Sequence, residues 1–146
     1  FDPGTQTLRA WRGDGSGFLK DHPDGILARL PGSVGWGGVA VADLGGDGEM
    51  DFFIGTYWLR LSRDGNVKIG NMLPDQNSAP ANALSDCSIV DLERDGQADI
   101  LFALTDGRLF VYQTEKGYKP EWLQWPTQRG NFRHTGAWQP PLKSHE

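Results

Sequence analysis

Residues 39–51 read Val-Ala-Val-Ala-Asp-Leu-Gly-Gly-Asp-Gly-Glu-Met-Asp, and residues 87–99 read Cys-Ser-Ile-Val-Asp-Leu-Glu-Arg-Asp-Gly-Gln-Ala-Asp. At a shift of 48 residues, Asp43, Leu44, Asp47, Gly48 and Asp51 fall on Asp91, Leu92, Asp95, Gly96 and Asp99 without a gap. The flanks agree in character: Val41 with Ile89, Ala42 with Val90, Phe52 with Ile100, and Ile54 with Phe102. Self-similarity at a fixed period marks a repeat architecture. Each copy continues into a short apolar run of strand length, Phe52–Thr56 and Ile100–Leu104. Alternating segments follow at Trp58–Ser62 and Arg108–Gln113, the pattern of a strand with one buried face. Asp64-Gly65 and Lys116-Gly117 then read as hairpin turns, with fourth strands expected at Asn66–Gly70 and about Tyr118–Leu123.

Upstream, Thr7–Trp11, the turn Asp14-Gly15 and a return strand beginning at Phe18 read as the second half of the same unit. Polar connections are expected at about 21–36 and 71–86. Four short antiparallel strands in about 48 residues is the arithmetic of a β-propeller blade. The expected fold class is therefore all-β, with about two and a half four-stranded antiparallel blades forming an incomplete propeller. The boundaries are half a blade with its connection at 1–37, a full blade at 38–86, a last blade at 87–125, and a tail at 126–146. A sandwich or barrel of eight to ten strands is the competing arrangement, and the shared turn positions favour blades. A blade buries its faces only against neighbours, and two and a half cannot close a ring. Another polypeptide supplying the missing blades, or further copies of this chain, is expected, with an apolar contact along the Thr7–Trp11 edge.

Composition narrows the function classes. Of 146 residues, 38% are hydrophobic, and Gly (20) with Pro (9) make about a fifth of the chain against a usual ~12%. That density of punctuation opposes an all-helical fold, while six Trp and seven Phe oppose disorder. A net charge of −5, with Lys and Arg scattered singly, opposes a nucleic-acid footprint. No apolar run is long enough for a transmembrane helix. The single cysteine, Cys87, rules out an internal disulfide framework and a four-cysteine zinc site, and its strand context reads as a buried thiol. The chain starts at Phe1 without a basic or apolar leader, which reads as a processed chain or a segment of something longer.

The chemistry lies in the repeated loops, of the form D-x-x-x-D-G-x-x-D. Carboxylates at positions one, five and nine around a glycine at six let the chain wrap one cation, and position seven offers its backbone carbonyl. The candidate metal residues are Asp43, Asp47, Glu49 and Asp51 in the first loop, and Asp91, Glu93, Asp95, Gln97 and Asp99 in the second. Oxygen ligands without His or Cys select calcium over a transition metal. The third position holds Gly45 in the first loop and Glu93 in the second, so the second is expected to bind calcium more tightly.

With their strand flanks, these loops resemble FG-GAP/VCBS-type repeats, the calcium-loop blades of integrin-like propellers in secreted and cell-surface proteins. The resemblance covers about residues 5–125. It implies a propeller of about seven blades with structural calcium in hairpin loops, and matches Asp43, Asp47, Asp51, Asp91, Asp95 and Asp99 to side-chain ligands. Glu93 matches the third ligand position, whereas Gly45 departs from it. The tail from Trp125-Pro126 to Thr135-Gly136 resembles a segment that often follows the last blade of bacterial secreted propellers. That likeness would place this chain at the C-terminal end of such a propeller.

Other signals are weaker. Arg12-Gly13-Asp14 is an integrin-binding tripeptide and also the ordinary approach to the Gly15 turn. Trp36, Trp58 and Trp122 could stack on sugar rings or fill the wedge between blades. His22, His134 and His145 have no zinc spacing and read as surface residues, and no Ser or Cys sits in a catalytic motif. No catalytic constellation emerges. The expected function is a non-enzymatic, calcium-stabilised scaffold for extracellular or periplasmic binding or assembly, secreted or at a cell surface. The alternatives are the propeller part of a carbohydrate-active lyase or hydrolase, and a lectin-like module with a glycan as partner.

Overall fold

A computed structural model describes residues 1–31, 38–73 and 85–127. In chain order the strands are β1 (Thr7–Arg9), β2 (Ile26–Arg29), β3 (Ala40–Ala42), β4 (Met50–Ile54), β5 (Tyr57–Leu61), β6 (Val67–Asn71), β7 (Ser88–Val90), β8 (Gln97–Ala103), β9 (Leu109–Gly117) and β10 (Leu123–Trp125). A 3-10 turn at Pro120–Trp122 leads into β10. The fold is all-β, and every strand pairing among the described residues is antiparallel. The strands form three open sheets, β1-β2, β10-β3-β4-β5-β6 and β7-β8-β9.

The middle sheet follows the sequence closely. A two-residue turn, Gly55-Thr56, joins β4 to β5, with Ile54 opposite Tyr57 and Gly55 at φ 58°. Asp64-Gly65 turns β5 into β6, with Gly65 at φ 83°, a conformation that glycine adopts without strain. Alternation then gives the sheet two unlike faces. Ile54, Tyr57 and Leu59 pack with Leu8, Leu27, Ala28 and Leu30 of the first sheet region. Ala40, Ala42, Leu44 and Phe53 pack with Cys87, Ile89, Ile100 and Phe102 of the third. Each sheet thus buries a face against the next. Trp58 fits into this second layer because Gly70 lies under its indole, where a Cβ would collide with the ring nitrogen.

Four expectations need correction. The connection expected at 21–36 contains β2, which pairs with β1, while Phe18 contributes only an isolated bridge to Trp11. Lys116-Gly117 is not a turn, because β9 runs through it and Gly117 lies opposite Gln97. The turn comes earlier, at Asp106-Gly107, where Gly107 has φ 88° and donates to the Leu104 carbonyl at 3.0 Å. The fourth strand expected at about Tyr118–Leu123 does not fold back on β9. Instead β10 crosses to the middle sheet and pairs with β3, and the Pro126 carbonyl just beyond it accepts the Ile89 N–H of β7 at 2.9 Å. The segment after β9 therefore stitches two sheets together at their first strands. Trp36, His134, His145 and the tail from residue 128 lie outside the described residues. No helix among the described residues is long and apolar enough to cross a membrane.

The two aspartate loops as a candidate functional site

The first loop joins β3 to β4 and the second joins β7 to β8. Their backbones are built alike. At position one, the Asp43 carboxylate accepts the N–H groups of Asp47 (3.1 Å) and Gly48 (2.8 Å), and Asp91 accepts those of Asp95 (3.0 Å) and Gly96 (3.0 Å). At position five, Asp47 accepts the Glu49 N–H at 3.0 Å and Asp95 that of Gln97 at 2.8 Å. At position nine, Asp51 accepts the Leu44 N–H at 3.3 Å and Asp99 that of Leu92 at 2.8 Å. Left-handed residues recur at positions four and six: Gly46 (63°) and Gly48 (80°), then Arg94 (59°) and Gly96 (83°). In each loop four backbone N–H groups donate to three carboxylates at equivalent positions, which extends the sequence repeat to atomic detail.

The carboxylates therefore have a local structural role, closing each loop on its own N–H groups. Among the described residues, no three His, Cys, Asp or Glu side chains converge as a ready-made metal cluster. The position-nine carboxylates are the most enclosed, Asp51 at 7% and Asp99 at 2% exposure. Burial pushes the Asp51 carboxyl above its usual range, with Arg60 opposing.

The surroundings of the two loops differ. Opposite Asp51 in the β4–β5 ladder stands Arg60. Its guanidinium contacts Asp47 at 2.6 Å, Glu49 at 2.7 Å and Asp51 at 3.6 Å. Arg63 donates to the Asp47 carbonyl at 2.9 Å. The Asp47 carboxylate also fills the space over position three, where a Cβ on Gly45 would lie 2.7 Å from it. Trp122 covers the loop from the other side, with its ring against Gly46 and its carbonyl accepting the Asp43 N–H at 2.9 Å. Lys119 sits over that indole, 4.4 Å from the ring centroid.

In the second loop, Gln113 stands opposite Asp99, reaching Asp95 only at 3.5 Å. Among the described residues, no Lys, Arg or His forms an ion pair with Asp91, Glu93, Asp95 or Asp99. Gln97 turns its side-chain amide onto Asp95 at 3.2 Å. The second loop thus carries four acidic side chains with no cationic side chain paired to them among the described residues. In the first loop a guanidinium stands among the carboxylates. Sequence reading found the loops but missed Arg60, whose place depends on strand register.

Cys87 is fully buried, its Sγ lies 3.3 Å from the Gly55 carbonyl, and burial raises its thiol pKa to about 12. His22 is half-buried rather than at the surface, with Nδ1 3.0 Å from the Ile26 carbonyl and Nε2 3.0 Å from the Gly65 carbonyl. Trp58 and Tyr112 line a cleft of about 570 Å³ between the second and third sheets, together with Arg60, Lys68 and Lys116.

Acid should weaken the turns. Backbone and side-chain donors hold Asp2, Asp14, Asp64 and Asp106 below their usual value of 3.8. Depressed carboxyls contribute stability above the unfolded value, and it is lost as pH falls through the folded one. Asp51, shifted the other way, opposes this by gaining its proton more readily in the folded chain. Thermal melts are therefore expected to hold nearly level from pH 6 to about pH 4 and to drop below it. A Tm that climbs steadily into acid would contradict the turn assignment.

No protein-family model matches the chain, and no curated protein or solved structure matches it either.

Proposed function

We propose that this chain is a calcium-stabilised segment of an FG-GAP/VCBS-like β-propeller, a non-enzymatic scaffold for binding or assembly outside the cytoplasm. In this reading another β-sheet, from a further polypeptide or a second copy, completes it. The observation that carries the proposal is the unequal fate of one repeated leucine. Leu44 is buried at 2% exposure against the third sheet, while Leu92, its equivalent 48 residues on, is 56% exposed. The same face of the third sheet presents Leu109 (68%) and Val111 (45%), and β9 has no strand on its outer side among the described residues. Repeats stack by burying each unit on the next. A face that is buried at one repeat and bare at the following one is where the next unit would pack.

Calcium in the second loop would offset two of the four negative charges of Asp91, Glu93, Asp95 and Asp99 and stiffen the β7–β8 connection. Extracellular calcium modules work at about 10⁻⁴–10⁻³ M, so calcium outside a cell would keep such a loop filled. Native mass spectrometry of the isolated protein tests the assembly. The expected result is a complex larger than 16.1 kDa that dissociates when Leu109 and Val111 are both replaced by Lys. A monodisperse monomer with a stable fold at all concentrations would overturn it.

A further inference from the structure

We infer that Arg60 is the resident cation of the first aspartate loop, so that this loop is built on a guanidinium where its repeat partner is built for a metal ion. The inference rests on the calcium reading of the second loop. Three observations carry it.

The first is geometry. One guanidinium spans the carboxylates at positions five, seven and nine, at 2.6, 2.7 and 3.6 Å. A planar fork of N–H donors suits several carboxylates at once, and it keeps its charge at any physiological pH. The Arg60 side chain is only 15% exposed and its contact with the Asp51 side chain, 9% exposed, is the most enclosed, while the Asp47 side chain at 48% keeps its end of the pair in solvent. A calcium ion and this guanidinium would compete for the same oxygens.

The second is the loop's missing ligand. Gly45 occupies position three, and the Arg60-bound Asp47 carboxylate fills the space where a side chain there would begin. Loss of the third ligand and gain of the arginine are two sides of one arrangement. With Glu93 at that position, the second loop keeps the ligand.

The third is register. The residue facing position nine across the ladder is Arg60 in one repeat and Gln113 in the other. The cross-strand neighbour therefore decides which cation a loop holds. Arginine there closes a loop to metal, and a neutral glutamine leaves it open.

The test exchanges the two residues in the full chain and counts bound calcium by native mass spectrometry after refolding with calcium in excess and magnesium as control. The wild type is expected to hold one calcium, which Asp99→Asn removes and Asp51→Asn does not. Arg60→Gln is expected to gain one, and Gln113→Arg to lose the one present. An Arg60→Gln chain that folds only with calcium counts as the same gain. An Arg60→Gln chain that gains none, or that fails to fold with or without calcium, overturns the inference. So does a wild-type calcium lost on Asp51→Asn but kept on Asp99→Asn, a result that leaves calcium binding itself standing. A wild type without calcium removes the reading of the second loop, and Arg60→Gln still decides the role of Arg60.

Discussion

Replacing Phe102 with alanine is expected to cost about 3–5 kcal/mol of unfolding free energy. Phe102 lies on β8 at 1% exposure, in one apolar cluster with Ala40, Ala42, Leu44, Phe53 and Met72 of the middle sheet region. It also stacks on Phe110, with ring centroids 5.7 Å apart and planes at 11°. Truncation would remove the largest fully buried side chain among the described residues and leave a cavity between the second and third sheets. A domain of this size has only about 5–15 kcal/mol in total, so the variant should melt far below the wild type. Urea unfolding checks this through a lower midpoint at unchanged slope, with exposed Lys20→Ala as a control expected within about 0.5 kcal/mol of wild type. A Phe102→Ala loss under 1 kcal/mol would mean that the second and third sheets do not share a core.

That core was legible in the sequence because two signals agreed. Alternating apolar residues and Asp-Gly turns fixed β3 to β6 to within a residue or two, and the repeat carried the same reading to β7 and β8. The loops were legible for the same reason, since an aspartate that closes a turn and an aspartate that binds a metal obey one spacing. What escaped lay in contacts between distant segments. The three residues of β10 have no period of their own, and their partner β3 lies some eighty positions earlier. Lys116-Gly117 looked like a turn because the repeat was extended past the point where the units diverge. A five-residue connection replaces the two-residue Gly55-Thr56 turn, shifting everything after Ala103. Arg60 escaped because a motif is read along the chain, whereas a β-ladder sets side chains opposite one another across it. The bare face at Leu92, Leu109 and Val111 was foreseeable only as the general need of a blade for neighbours.

Calcium is expected to raise the melting temperature of the wild type by on the order of 10 °C, and to leave Asp99→Asn unmoved. A ligand bound only by the folded chain adds about 2.7 kcal/mol at one hundred times its Kd, which for a domain of this size corresponds to that shift. Asp99 is the position to test because it is the most enclosed carboxylate of the second loop and holds the loop closed through the Leu92 N–H at 2.8 Å. Asparagine keeps an acceptor oxygen for that N–H while removing the charge. Asp99→Asn in chelator should therefore melt close to the wild type in chelator, and the two should separate only when calcium is added. Asp99→Ala also removes the acceptor and should lose about a further 1 kcal/mol even without calcium. The difference between the two variants isolates the hydrogen bond, and the calcium response of the wild type isolates the metal. Equal calcium shifts in wild type and Asp99→Asn would place the ion elsewhere. No shift in either would leave the carboxylates of the second loop with the turn-closing role alone.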